Sequence, residues 1–147
     1  MWTIVLRSCL ALALLLVVAG ESVAWAAEAK TPWSRSDVVA LTEQLSAALD
    51  RLLADPGLRA EQTTAFQQRK HEAAISTLTR VRPGVAELRR RIVAGADLDG
   101  SRPYFELVEE QREEIASYAE ESWLTDSARA KAKRVRTLFE RLAQYYQ

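Results

Sequence analysis

Apolar residues recur at alternating intervals of three and four along most of the chain, which is the period of an amphipathic helix. The first series begins after Pro32, with Ser34 as the expected N-cap, and ends at the turn signal Asp55-Pro56-Gly57. Its core-facing positions are Val38, Leu41, Leu45, Ala48 and Leu52. The sequence therefore predicts a first helix between Ser34 and Asp55.

The second helical series is the longest, and it contains a proline. It runs from about Thr63 to Ala94, with Arg82-Pro83-Gly84 in its middle. A Pro and a Gly together cost about 4 kcal/mol in a regular helix, so either a kinked single helix or two helices joined by a turn would fit. Because the apolar positions keep their register across Pro83, which falls on the outer face, we expect the kinked single helix.

Two further series complete the pattern. Gly95 to Gly100 is predicted to be a loop, and Ser101 the N-cap of a third helix that reaches Ser122. Thr125 or Asp126 then caps a fourth helix that runs to the last residues. The sequence predicts an all-α fold, most simply an antiparallel up-down four-helix bundle with a long, Pro-kinked second helix. The alternative is an elongated helical hairpin that completes its core only as a dimer.

The first residues have the pattern of a signal peptide. Arg7 precedes an uninterrupted run of apolar and small residues, Cys9 to Gly20, which is shorter than the roughly 20 residues that span a bilayer. Ala24 and Ala26 place small residues at the −3 and −1 positions of a cleavage site. We expect cleavage after Ala26; an uncleaved N-terminal anchor is the alternative.

This cleavage site divides the chain into a signal peptide at residues 1–26, a short lead at 27–33 and a single helical domain at 34–147. A length of 147 residues suits one domain. The only cysteine, Cys9, would be removed with the signal, so the remaining chain would use no disulfide. We expect an exported protein, periplasmic or extracellular, without a stable membrane anchor once the signal is cleaved.

The charges are balanced in number but uneven in position. The chain has 20 basic and 20 acidic residues, which argues against nucleic acid as a partner. Tyr104 to Glu121 contains seven Glu and one Arg, whereas Ala128 to Arg141 contains six basic residues and one Glu. These faces would either pair with each other or dock a protein partner or a second copy of the chain. The candidate partner-binding residues are Glu106, Glu109, Glu110, Glu113, Arg129, Lys133 and Arg136.

The sequence has few residues for catalysis or cofactor binding. His71 is the only imidazole, the only Met is the initiator, and no Gly-x-Ser-x-Gly or phosphate-binding glycine motif is present. A di-iron bundle needs two Glu-x-x-His elements, and the single candidate here reads Gln68-x-x-His71. We therefore expect no catalytic site, no cofactor and no metal. His71 is interpreted as a polar residue at a hydrated end of the bundle, beside Ser122 and Lys131.

The resulting functional prediction is a non-catalytic exported protein that acts by protein–protein binding. A periplasmic stress adaptor or holdase-type chaperone is one alternative, and a small enzyme or metal-binding bundle is another. The segment Leu41-Thr42-Glu43-Gln44 is similar to the Leu-Thr-x-x-Gln motif of periplasmic stress chaperones. Gln44 stands one residue earlier than in that motif and no second copy exists, so no fold, activity or site residue is transferred from that family.

Overall fold

A computed structural model of the chain describes residues 31–58, 64–121 and 124–147. Within these ranges the regular structure is all helical, with five α-helices that pack against each other and a short 3₁₀ turn at Pro56–Leu58. The helices are α1 Arg35–Leu53, α2 Ala65–Val93, α3 Leu98–Glu109, α4 Arg112–Ala119 and α5 Asp126–Ala143. The predicted signal peptide, and the predicted positions of Ser122 and Trp123, lie outside the described residues.

Helix α1 runs antiparallel to both α2 and α5. Arg35 at the start of α1 donates to the carbonyl of Gly95 after α2, at 2.8 Å. The Tyr145 hydroxyl, just after α5, reaches Asp37 in the first turn of α1 at 3.5 Å. Further contacts join α2 to α3 and α4, and α4 to α5. The all-helical prediction is confirmed, but a four-helix bundle is not, because the described residues form five helices.

The second helix continues through its proline. Pro83 is exposed, while Val81 and Val85 on either side are buried, so the apolar face passes the proline without a break in register. The prediction of a single helix is confirmed, and the alternative of two helices is wrong. Pro83 lies on the exposed side of α2, so the Thr79 carbonyl, which loses its helical hydrogen bond to residue 83, is accessible to water.

The third predicted helix is two helices, and it begins earlier than predicted. Its N-cap is Asp97, whose side chain accepts a hydrogen bond from the Gly100 backbone N–H at 2.9 Å. Ser101 was therefore wrongly predicted as the cap; it lies inside α3, and its hydroxyl donates to the Asp97 carbonyl at 2.6 Å. An uninterrupted helix would place polar Gln111 in the core. A turn at Glu110 and Gln111 instead separates the two helices and leaves Gln111 half-buried, while the buried residues Val108 and Ile115 keep a spacing of seven across it.

All five helices contribute side chains to one continuous core. The largest fully buried side chains include Leu45, Leu49, Leu78, Leu88, Ile92, Ile115, Leu138 and Phe139. Tyr146, after the end of α5, also belongs to this core: its ring stacks on Phe105, with the centroids 4.2 Å apart and the planes 3° from parallel. Its hydroxyl lies 2.9 Å from the Ser101 Oγ. A single chain thus buries its own core.

We expect Gly84→Ala to lower the free energy of unfolding by about 1 kcal/mol, although Ala favours a helix by about that amount over Gly. A Cβ at Gly84 would lie 3.0 Å from the Val108 Cγ2 of α3, and Val108 is buried and stiff at χ1. Chemical denaturation would measure the change. In a Val108→Ala background the same substitution should instead be stabilising; stabilisation in the unmodified background would contradict this explanation.

Candidate functional site

The four predicted acidic residues lie together where α3 ends and α4 begins. Glu106 and Glu109 are in the last turn of α3, Glu110 is its C-cap, and Glu113 is in the first turn of α4. All four line one open surface depression of about 500 Å³, together with Arg112. We call these four residues the acidic depression. The structure therefore brings the acidic half of the predicted site together.

The helix ends make part of this arrangement unfavourable. The C-terminus of a helix carries partial negative charge, and an acidic side chain there costs about 0.3–1 kcal/mol. Glu106, Glu109 and Glu110 occupy this position in α3, whereas Glu113 lies at the favourable N-terminus of α4. Three carboxylates are thus held where the local electrostatics oppose them.

Only one carboxylate of the acidic depression has an ionic partner among the described residues. Glu109 Oε1 lies 2.6 Å from Arg112 Nε. Burial nevertheless raises the pKa of Glu109, against the lowering effect of Arg112. Glu106, Glu110 and Glu113 are exposed and make no ion pair with any described residue. The depression therefore presents uncompensated negative charge to solvent.

The three predicted basic residues are in α5, and their charges are paired within the chain. Arg136 Nη1 lies 2.5 Å from Glu120 Oε1, and Lys133 Nζ lies 3.9 Å from the second oxygen of the same carboxylate. Arg129 pairs with Asp126 at 3.3 Å. None of the three lines the acidic depression. Of the two interpretations of the charge pattern, pairing within the chain therefore applies to the three basic residues.

The run of three arginines near the end of α2 is paired in the same way. Arg90 and Arg91 both bind Glu87, at 2.6 and 2.7 Å, and lower the pKa of that carboxyl to about 2. Arg89 pairs with Glu43 of α1. The Arg91 guanidinium also lies 4.7 Å from the centre of the Tyr104 ring. Each guanidinium of this run therefore has a carboxylate partner within the chain, with Glu87 shared by two of them.

His71 is a buried connection between elements, with only 4% of its surface exposed. Its Nε2 lies 2.5 Å from the Leu58 carbonyl, and its Nδ1 lies 3.2 Å from the Tyr118 hydroxyl. A neutral imidazole satisfies both contacts by donating from Nε2 and accepting at Nδ1. The prediction of a hydrated position was therefore wrong, because the 3₁₀ turn Pro56–Leu58 and helix α4 cover the ring.

A buried carboxylate cluster at the same end was missed by the sequence analysis. Asp55 has a side chain that is 2% exposed, and it accepts from the Ser127 hydroxyl at 2.7 Å and from the Gly57 backbone N–H at 2.7 Å. Lys131 completes the cluster with an ion pair to Asp55. Its hydrogen bond is the main cause that lowers the pKa of Asp55, followed by that of Ser127.

The cluster fastens the end of α1 to the start of α5, and two local signals could have suggested it. Asp-x-Gly is a sequence in which the carboxylate bonds a backbone N–H two residues on. Ser127 and Lys131 are four residues apart and share a helix face. The contact between these two segments, 72 to 76 residues apart in the chain, depends on the tertiary fold.

The described part of the chain contains neither a cluster of metal-ligating side chains nor a helix that could cross a membrane. Within residues 31–58, 64–121 and 124–147, no group of three or more His, Cys, Asp or Glu side chains is arranged to hold a metal ion. No helix in the described part of the chain is long and apolar enough to cross a membrane.

Comparison with known proteins gives no family assignment. No family model matches the chain, and no curated protein or solved structure shows significant similarity to it.

Proposed function

We propose that this chain is an exported, non-catalytic helical protein that binds a basic protein partner through the acidic depression. The observation that carries the proposal is that Glu106, Glu110 and Glu113 are exposed without an ionic partner among the described residues, while the predicted basic residues are paired internally. A surface of one sign favours a partner of the opposite sign and accelerates its association. Export follows from the signal-peptide pattern of residues 1–26.

The acidic depression lowers the stability of the fold, and this supports a binding role. Glu106 and Glu110 are four residues apart, and like charges at this spacing destabilise a helix by about 0.2–0.5 kcal/mol. The C-terminal position in α3 adds a further unfavourable term. Surfaces that reduce stability in this way are typical of binding sites, where activity and stability compete. Leu107, which is 64% exposed beside these carboxylates, offers an apolar contact to the same partner.

The test is a charge-reversed variant, Glu106→Lys with Glu110→Lys. A tagged chain is used to recover partners from the envelope of its native host, at low and at high salt. We expect the unmodified chain to retain a basic protein at low salt and to lose it near 1 M salt, where the Debye length falls to about 3 Å. The variant should not retain that protein.

The variant Glu72→Lys with Asp99→Lys is the matched control, since it makes the same charge change at exposed positions outside the depression. It should retain the partner. The Glu106 and Glu110 variant should also have a free energy of unfolding about 0.5 kcal/mol higher than the unmodified chain. The two lysines still repel each other, but they place cations at the C-terminus of α3 and beside Glu109 and Glu113. Loss of binding with a gain in stability separates a lost surface from a misfolded protein. Equal capture by all three proteins would refute the proposal.

A further inference from the structure

A groove lies between α1 and α2. It is on the side of these helices that faces away from the hydrophobic core. It is open to solvent, has a volume of about 600 Å³, and is lined mostly by apolar and small side chains. The uncharged lining residues are Ser46, Leu53, Thr79, Pro83 and Ala86. None of the residues of the acidic depression lines it. The groove is therefore a different surface from the one in the proposed function.

Charged residues border this groove with one sign on each helix. Glu43 and Asp50 are on α1, and Arg82 and Arg89 are on α2. Within the chain, Asp50 pairs with Arg82 at 2.6 Å, and Glu43 pairs with Arg89. One helix thus presents an acidic edge and its neighbour a basic edge of equal charge.

These two ion pairs also fix the antiparallel register of α1 against α2. Ser46 and Ala86 lie midway between the pairs, so they form the central layer of the face. One helical turn beyond the Glu43–Arg89 pair, away from the central layer, lie Val39 and Val93. Val93 is 62% exposed. One step beyond Asp50 and Arg82 come Leu53 and Thr79. Along its length the face therefore has five layers of side chains: an apolar layer, a charged layer, a central layer of small residues, a second charged layer and a largely apolar layer.

The same face can be matched by a copy of itself in one orientation. A two-fold axis parallel to the helices places α1 of one copy over α2 of the other at the same level. Each acidic residue then meets a basic one, Glu43 opposite Arg89 and Asp50 opposite Arg82, and Val39 meets Val93. A two-fold axis perpendicular to the helices would set α1 on α1 and bring Glu43 against Asp50, which is repulsive.

We propose that the α1–α2 face is a self-association surface, on which a second copy of this chain docks about a two-fold axis parallel to the helices. The small central side chains allow close approach of the backbones, and each carboxylate at the border gains a second guanidinium. A partner with a single sign of charge would pair with one helix and be repelled by the other. Charge complementarity therefore favours a second copy over an acidic or a basic protein.

Sedimentation of the purified full chain at micromolar concentration, together with two reversed variants, tests this proposal. Glu43→Lys with Asp50→Lys makes the whole border basic, and Arg82→Glu with Arg89→Glu makes it all acidic. We expect the unmodified chain to be dimeric and each variant alone to have a dimer dissociation constant at least about tenfold higher. An equimolar mixture of the two variants should recover the dimer, because basic and acidic borders then face each other.

A further variant separates loss of the interface from loss of folding. Ala86 is exposed in the central layer, so Ala86→Arg should prevent association and leave the circular dichroism spectrum unchanged. At a concentration low enough for both proteins to be monomeric, its unfolding midpoint should equal that of the unmodified chain. Ala86→Ser should associate normally. The proposal is overturned if the unmodified chain is monomeric, if both reversed variants dimerise as it does, or if their mixture stays monomeric. It is also overturned if a different protein, and not a second copy, requires Ala86 for binding.

Discussion

Replacing Asp55 with Asn should lower the free energy of unfolding by about 3 kcal/mol, which is the lower end of the cost of removing one partner from a buried ion pair. The carboxylate is 2% exposed and serves Lys131, Ser127 and the Gly57 backbone at once. The lower end applies because Lys131, whose side chain is 37% exposed, can turn toward solvent when its partner is lost. Urea denaturation at neutral pH would measure the change.

Acid provides an independent readout of the same carboxylate. The pKa of Asp55 in the folded chain lies below the ordinary value of 3.8, first because Lys131 donates to it. A group with a lowered folded pKa stabilises the fold above its unfolded pKa and loses that contribution as the pH falls through the folded pKa. The unmodified chain should therefore lose stability below about pH 4 in part through Asp55. Asp55→Asn should remove that part of the pH dependence.

Asp50→Asn is the matched control for this substitution. Asp50 also pairs with a cation, Arg82 at 2.6 Å, but its side chain is 49% exposed. Exposed ion pairs contribute at most about 1 kcal/mol, so the control should cost far less than Asp55→Asn. Equal losses for the two variants would show that burial of Asp55 is not what makes its ion pair important.

The second large effect is expected at Gly57, where Ala should cost about 3 kcal/mol. A Cβ there would overlap the Thr125 Oγ1 and lie 2.9 Å from the Asp55 Oδ1. Neither atom is free to move away: Thr125 Oγ1 caps α5 by accepting from the Ala128 N–H at 3.2 Å, and Asp55 Oδ1 accepts from the Gly57 N–H at 2.7 Å. The added methyl group would disrupt both the helix cap and the Asp55 turn.

A double-mutant cycle with Thr125→Ala tests this explanation. Thr125→Ala alone should cost about 1 kcal/mol through loss of the cap. In that background Gly57→Ala should cost much less than in the unmodified chain, because its main steric obstacle is gone. Additive losses would show that the approach of α5 to this turn does not decide the requirement for glycine.

The features predicted correctly are those specified by residues close together in sequence. Ser34 and Thr125 cap α1 and α5 because a short hydroxyl side chain reaches a backbone N–H three residues on. The core positions of α1 follow directly from its spacing of three and four. The continuity of α2 through Pro83 followed from a register that spans both sides of the proline.

The errors arise where two local solutions compete. Asp97 and Ser101 are both good caps, and the local sequence alone does not show which carbonyl begins the helix. In the last helical series, a spacing of three and four from Ala128 predicts Lys131 and Tyr145 as core positions, but the buried residues are Ala132 and Tyr146, one position later in each case. Lys131 is drawn to Asp55 at the edge of the core, and an alanine takes the buried position. Only the tertiary contact explains that choice.

In the candidate site, too, the local features were predictable from the sequence and the tertiary contacts were not. The acidic depression was predictable because its four residues lie within eight positions of one another. Whether those charges are paired depends on distant helices, and there the two halves of the charge pattern differ. The groove between α1 and α2 was not predicted, since its edge charges become complementary only after the two helices are aligned antiparallel.

The position of Tyr146 has a consequence for the order of events during synthesis. Its ring stacks on Phe105 and its hydroxyl meets Ser101, 45 residues earlier in the chain, while Arg102 donates to its carbonyl at 2.7 Å. These contacts can form only after Tyr146 has emerged from the ribosome, or from a translocation channel if the chain is exported. Until then α3 lacks part of its packing, and α1 lacks part of its contact with α5. The packing of α3 is therefore completed only after a residue 45 positions beyond Ser101 has emerged.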